Sequence, residues 1–338
     1  MEYRQLGQSG IEVSVVGFGL WTTSTGWWGD YTDAEAVSLL RLAHDLGITF
    51  FDASDSYGNG RAEEQLGAAF GNDPGIVVAT KVGYDFYTHG NERHGQREIP
   101  QDFTPAYIRR ACDESLRRLR RERIDFYQLH NPKMDTISND ETFAILDDLV
   151  REGKVLSYGV ALGPAIGWEA EGVRVAREQS IAGLQIIYNM LEQDPGRAQI
   201  AACYDNSVSA IARVPHSSGL LEGRYTEDTE FGPNDHRRHR PRSWLVNGLK
   251  KVEALRFLTE DRPGATIGQI ALKWILSEPA VSTTLPNIYD AEQLREFAVT
   301  PGVADLTPAE LSQIQELYAS NFGVEHAIEH AVPAGGPR

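Results

Sequence analysis

Eight short apolar runs recur along this chain, and each is followed by at least one stretch patterned as a helix. The runs are Val15–Gly19, Ile48–Phe51, Ile76–Ala79, Ile124–Leu129, Val155–Val160, Leu184–Ile187, Val208–Val214 and Val281–Leu285. Helix punctuation lies between them. Thr32 and Asp33 offer an N-cap, Thr104-Pro105 places a cap before a proline at the first helical position, and Gly47, Gly71 and Gly153 stop helices. Strict strand–helix alternation implies a parallel sheet with right-handed crossovers. Eight units in 338 residues suit an α/β fold of the closed (β/α)8 TIM-barrel type. The rival is an open, doubly wound sheet with a dinucleotide turn after its first strand. Gly17-Phe18-Gly19 lacks the third glycine that turn requires. Tyr3–Leu6 and Ile11–Val13, joined by Gln8-Ser9-Gly10, predict an N-terminal β-hairpin. Extra C-terminal helices follow the last run. The expectation is one domain over 1–338, with a Gly/Pro tail from about residue 323.

Composition removes several function classes. A net charge of −16 argues against a nucleic-acid or anionic-lipid surface acting through bulk charge. No run of 18 apolar residues occurs, and Met1–Gly10 is polar, so neither a membrane span nor a signal peptide is expected. Cys112 and Cys203 are too few for a disulfide framework. The expected compartment is the cytoplasm. Only six of the 32 basic residues are lysine, so a lysine at a strand end carries weight.

In a barrel of this kind the chemistry sits where strands end and loops begin. The second run ends in Asp52, with Tyr57 five residues on. The third ends at Lys81 and the fourth at His130. Singly, these read as a loop cap, a packed aromatic, a solvated lysine and a rim histidine. Together, on consecutive strands at one end, they define a site. An ordinary phenol, with a pKa of about 10, is too weak an acid at neutral pH. An adjacent ammonium favours the phenolate, and the ammonium needs a carboxylate to stay charged when buried. Asp52, Lys81 and Tyr57 therefore make a coherent tuned acid, and a neutral His130 can hold a carbonyl oxygen. No metal is expected. There is no Cys/His pair at ligand spacing, and His326 and His330 lack a third ligand.

Phe51-Asp52-Ala53-Ser54-Asp55-Ser56-Tyr57-Gly58, Ala79-Thr80-Lys81 and Tyr127-Gln128-Leu129-His130-Asn131-Pro132 resemble the Asp/Tyr/Lys/His tetrad motifs of the aldo-keto reductase superfamily. Gly19-Leu20-Trp21 resembles its Gly-x-Trp, and Gln185-Ile186-Ile187-Tyr188-Asn189 its Gln-x-x-Tyr-Asn. Pro215-His216-Ser217-Ser218-Gly219-Leu220-Leu221 is similar to its Ser-Pro-Leu-x-x-Gly-x-Leu. Leu285-Pro286 through Gln293-Leu294 resembles the stretch that holds the adenosine end. The resemblance spans residues 3 to about 322. It implies a barrel that binds a nicotinamide cofactor without a Rossmann fold and reversibly reduces a small carbonyl, alcohol or sugar substrate. Tyr57 is then the general acid/base. It also implies cofactor contacts from Gly19, Leu20, Trp21, Gln185, Arg213, Pro215, His216, Ser217, Gly219, Leu221, Pro286, Asp290 and Gln293. The alternative is a cofactor-binding regulatory protein on the same fold, like the channel-associated β-subunits, with little turnover.

The chain departs from the family pattern in three places. The usual Gly-Val-Ser-Asn is here Gly159-Val160-Ala161-Leu162, whose side chains cannot hold a carboxamide, leaving Gln185 for that contact. The aromatic that stacks on the nicotinamide aligns with Arg213, a cation that disfavours the oxidised ring. The residue that meets a 2′-phosphate aligns with Tyr289 or Asp290. Asp290 favours NAD. The run Arg237, Arg238, Arg240, in the loop expected over the pyrophosphate, favours NADP, and the balance gives a modest NADP preference. Trp27, Trp28 and Tyr84 are expected to wall the substrate pocket.

Overall fold

The computed structural model describes residues 1–90, 98–163 and 168–325. Ten strands occur in it. β1 (Tyr3–Gln5) and β2 (Glu12–Ser14) pair antiparallel as the expected hairpin. The other eight are β3 (Phe18–Gly19), β4 (Phe50–Asp52), β5 (Val77–Val82), β6 (Ile124–His130), β7 (Val155–Ala161), β8 (Gly183–Ile187), β9 (Ser209–Arg213) and β10 (Val281–Leu285). They run parallel in sequence order, each beside its neighbour. Val16 bridges Thr284, with Gly17 N–H donating to the Thr284 carbonyl at 2.9 Å, so the first strand meets the last and the barrel closes.

Both faces of the sheet are covered, so even polar residues of the short strands lie inside. All seven residues of β6 and all five of β10 are buried. Thr32 and Thr104 cap their helices as the sequence predicted, and Thr32 forms a reciprocal capping box with Glu35. The stretch 242–260 forms two helices, Arg242–Ala254 and Phe257–Glu260. The long 216–243 loop contains two 3-10 turns, Leu220–Glu222 and His236–His239. The pair His326 and His330 lies outside the described residues. No helix among the described residues is long and apolar enough to cross a membrane.

The hairpin decides which end of the barrel does chemistry. Leu6, Ile11 and Val13 pack with Phe50, Ala79, Phe126, Ala182, Ile211 and Leu285 inside it. Gly7 N–H donates to Ser209 Oγ at 2.6 Å, and Ser282 Oγ to the Gln5 carbonyl at 2.7 Å, both at strand starts. The N-terminal mouth is thereby plugged, and the C-terminal mouth is left for ligands.

Inside the barrel the fit is tight at Gly159. A methyl group there would sit 2.2 Å from the Gly183 carbonyl oxygen and 2.4 Å from Phe126 Cζ. Backbone on one side and a packed ring on the other cannot both yield. Gly159→Ala is expected to cost about 3 kcal/mol, the upper range for overpacking, in urea unfolding. A loss below about 1 kcal/mol would mean that β7 and β8 can move apart cheaply.

Candidate active site

Strand register places the polar residues at one level. Asp52 ends β4 beside Gly19 and Ala79, Lys81 pairs with Gln128, and His130 ends β6 beside Ala161. Tyr57 lies in the turn that follows β4, its N–H bonded to the Ser54 carbonyl at 3.2 Å. The four expected residues thus converge.

Lys81 Nζ donates to Asp52 Oδ2 at 2.6 Å and to the Ala53 carbonyl at 2.7 Å. Its ammonium lies 4.8 Å from the Tyr57 ring centroid. Burial works to discharge Lys81. The Asp52 carboxylate bonded to it and the nearby Tyr57 phenol outweigh that and hold its pKa above the ordinary lysine value. The His130 ring stands edge-on to Tyr57 at 5.7 Å and to Tyr84 at 4.9 Å, with Nδ1 held by Ser54 Oγ at 3.1 Å. Lys81 is 1% exposed and Tyr57 9%, so the ammonium is sealed while the phenol reaches the mouth.

Two supports escaped the sequence reading. Gln128 Nε2 donates to Asp52 Oδ1 at 3.0 Å, and Gln185 Nε2 to the same oxygen at 3.0 Å. Gln128 was findable, because a strand's period of two puts it on the His130 face. Gln185 was expected at a nicotinamide carboxamide. Its amide nitrogen bonds Asp52 and also Gln128 Oε1, the latter at 3.1 Å.

Arg213, the last residue of β9, reaches across β8 to donate from Nη2 to the Leu162 carbonyl at 2.8 Å. Its Nε is buried with no hydrogen-bond partner among the described residues. Burial weakens its hold on its proton, and Tyr57, Asp52 and Tyr84 oppose that, so the guanidinium lies within the electrostatic reach of those residues.

The turn after β9 is strained. Val214, Ser217 and Ser218 have positive φ, and so does Gly219 at 97°, where a Cβ would meet the Tyr225 hydroxyl. Each non-glycine residue of this kind costs about 1–3 kcal/mol and persists where surroundings enforce it, often at ligand sites. Ser217 Oγ donates to Glu192 Oε2 at 3.0 Å, and Arg240 Nη2 to Ser218 Oγ at 3.2 Å. Pro215 and Leu221 belong to this turn, and Leu221 is buried. The His216 ring turns toward the helical layer. It stacks on Phe297 at 4.7 Å, bonds the Gly268 carbonyl at 3.0 Å, and burial lowers its pKa to about 4.

Arg237 forks onto Asp235 at 2.8 and 2.6 Å, bonds the Tyr225 hydroxyl, and lies over Trp28 at 4.3 Å and Phe231 at 4.8 Å, so its charge already has a carboxylate partner. Trp27 and Trp28 both stack on His236, and His236 N–H donates to the Trp27 carbonyl at 3.0 Å, joining the loops after β3 and β9. The aromatic against Tyr57 is Trp21, edge-on at 5.0 Å, which the sequence reading gave to the cofactor. Gly19 and Leu20 lead into it, and Leu20 N–H bonds the Asp52 carbonyl at 2.9 Å. Tyr84 stands beside His130, where a pocket wall is wanted. Arg238 is exposed and bonds only the Pro233 carbonyl, at 3.4 Å.

At the other end Pro286 follows β10, and Asp290 caps the helix Ala291–Ala298 by accepting from Gln293 N–H at 2.8 Å. Gln293 Oε1 accepts from Tyr289 N–H at 3.0 Å. Arg224, unnoticed in the sequence, lies 3.6 Å from Asp290 Oδ2 and 3.9 Å from Glu296 Oε2. Asp290 is therefore a helix cap with a cation beside it rather than a lone carboxylate.

Residues 15–319 match the Aldo/keto reductase family, and the chain belongs to that family. L-glyceraldehyde 3-phosphate reductase of Escherichia coli (strain K12) is 30% identical over 336 residues, covering 94% of this chain and 92% of that protein. A probable voltage-gated potassium channel subunit beta of Arabidopsis thaliana is 27% identical over 339 residues, covering 95% and 97%. Among solved structures, glycerol dehydrogenase AKR11B4 from Gluconobacter oxydans superposes with a TM-score of 0.77 at 26% identity, covering 94% of this chain and 95% of that one. The family uses NAD(P)H and reduces carbonyl groups.

Proposed function

We propose that this protein reversibly reduces an aldehyde, ketone or sugar carbonyl with NAD(P)H, and that Tyr57 is its general acid and base. The observation that carries the reading is the Lys81 ammonium, fixed between Asp52 Oδ2 at 2.6 Å and the Tyr57 ring at 4.8 Å. When bound, the dinucleotide supplies the hydride. The chain's own residues do the rest. Tyr57 gives its proton to the forming alkoxide, and Lys81 stabilises the phenolate left behind. Asp52 keeps Lys81 charged, and Gln128 and Gln185 hold Asp52. His130 holds the reacting oxygen. Trp21 and Tyr84 wall the space beside Tyr57.

Several features fit the cofactor. Arg213 Nε is a buried donor in want of an acceptor, and the left-handed turn 217–219 carries Arg240 on Ser218. Arg240 and Arg238 replace Arg237 as the residues toward the pyrophosphate. Arg224 beside Asp290 supports a modest NADPH preference, because a 2′-phosphate gains a charge-assisted contact there. A hydrogen bond to a charged group is worth about 1.5–3 kcal/mol, so Arg224→Ala is expected to move the kcat/KM ratio toward NADH by roughly tenfold or more. An unchanged ratio removes Arg224 from the cofactor site.

The overall test is cofactor oxidation across aldehydes, ketones and aldoses, with cofactor affinity measured in parallel. Turnover of at least one class is expected. Tight binding without turnover of any would instead favour the regulatory reading, to which the likeness to a channel β-subunit lends support.

A further inference from the structure

Behind His130 two buried carboxyl groups compete for one cation. Glu63 has both oxygens engaged: Thr80 Oγ donates to Oε1 at 2.6 Å, and Arg118 Nε to Oε2 at 2.7 Å. Asp55, fully buried, has no such partner. Its Oδ2 makes no hydrogen bond among the described residues, and its Oδ1 meets only Ser54 Oγ, at 3.3 Å. The phenols of Tyr87, Tyr107 and Tyr127 face the same space, and Arg118 also bonds Tyr87. With Arg118 committed to Glu63, burial and the Glu63 charge push the Asp55 carboxyl well above the usual carboxylate range.

Ser54 Oγ is the junction. It accepts from Ser56 N–H at 3.2 Å and lies 3.0 Å from Ser56 Oγ, 3.3 Å from Asp55 Oδ1 and 3.1 Å from His130 Nδ1. A hydroxyl has one proton and two lone pairs. If Asp55 keeps its proton on Oδ1 and donates to Ser54, that proton and Ser56 N–H fill both lone pairs of Ser54 Oγ, which can send its own proton to His130 Nδ1 or Ser56 Oγ but cannot accept from Nδ1–H. The ring then carries hydrogen on Nε2. If Asp55 ionises, Ser54 turns to the carboxylate and accepts from Nδ1–H instead. The ring's other nitrogen then loses its donor role in the neutral form.

We propose that Asp55, through Ser54, sets the tautomer of His130, so that a neutral Asp55 makes His130 Nε2–H the hydrogen-bond donor to the carbonyl oxygen of the substrate. Asp55 is a positioning residue, and its effect on rate rests on the carbonyl-reduction reading above. The sign follows from the chemistry. Below its raised pKa Asp55 is neutral and the donor tautomer is present. As pH rises through that pKa, the chain reverses and reduction slows.

Two measurements test this on the full-length protein. Nitrogen-15 NMR of histidine-labelled protein, with His130 identified from the His130→Gln spectrum, reports the tautomer without any turnover. The expected result is Nε2–H at neutral pH in the parent and in Asp55→Asn, whose amide donates as the neutral acid does, and loss of that preference in Ser54→Ala. The pH profile of kcat/KM for carbonyl reduction should lose its Asp55-linked alkaline fall in Asp55→Asn. Ser54→Ala should lie about 10- to 100-fold below the parent, up to the low end of the ~10²–10⁴ that a positioned acid–base group itself contributes. A purely structural role would lower stability without moving tautomer or profile. Nδ1–H in the parent at neutral pH, or an unchanged alkaline limb in Asp55→Asn, overturns the proposal. Absence of any carbonyl turnover, with the Nε2–H tautomer intact, would instead count against the reduction reading alone.

Discussion

Lys81→Met is expected to destabilise the protein by about 3–5 kcal/mol, the cost of leaving a buried charge without its partner. Lys81 and Asp52 form an ion pair at 2.6 Å with side chains 1% and 5% exposed, so water cannot replace the lost ammonium. Gln128 and Gln185 would still donate to Oδ1, but Oδ2 would have nothing. The variant's Asp52 should then take up a proton on folding. A carboxyl whose folded pKa is raised contributes most below that pKa, so the variant should gain stability as pH falls through the window above the unfolded value. Adding Asp52→Asn should recover part of the loss, since neither partner then remains charged. Denaturant unfolding of the two single variants and the double variant measures this. Strictly additive losses would show that the pair does not act as a unit.

The fold was legible because its signal is repeated. Eight apolar runs, most of their residues buried, and helices opened by Thr32 and Thr104 agree with one another, and such agreement specifies one structure. The tetrad was legible because each member ends or closely follows a strand, so its place on the rim comes from the topology. What stayed hidden depends on where long side chains go after leaving the backbone. Arg237 looked like a free cation in a polar loop. Its fork onto Asp235 and its ring neighbours come from segments as far apart as Trp28 and Tyr289. His216 lay inside a cofactor motif, but its ring turns to Phe297. Gln185 was assigned by motif to a ligand, and the barrel's curvature brings it to Asp52, 133 residues away. Arg224 carried no local signal, because its partners Asp290 and Glu296 follow the next strand.

Trp27 and Trp28 show the same limit. Three tryptophans within eight residues of a rim loop suggested a pocket wall. In the fold Trp21 touches Tyr57, Trp27 packs edge-on against Trp21 at 5.1 Å, and Trp28 underlies Arg237. The series therefore runs from the reacting centre outward to the loop after β9.

The central claim is that Tyr57 donates the proton. Its ring lies 4.8 Å from the Lys81 ammonium, and Lys81 itself is sealed. Tyr57→Phe removes one oxygen and keeps the ring that packs on Trp21. It should therefore preserve the pocket and leave dinucleotide binding nearly unchanged. A positioned general acid contributes about 10²–10⁴-fold, so kcat/KM for a good carbonyl substrate should fall by roughly 10³. The most direct measurement is kcat/KM for reduction in the parent and in Tyr57→Phe, with the cofactor dissociation constant determined for both by fluorescence titration. The account predicts a loss of about a thousandfold with cofactor affinity within about twofold of the parent. Turnover within about tenfold of the parent, or a loss explained by weakened cofactor binding, would contradict it.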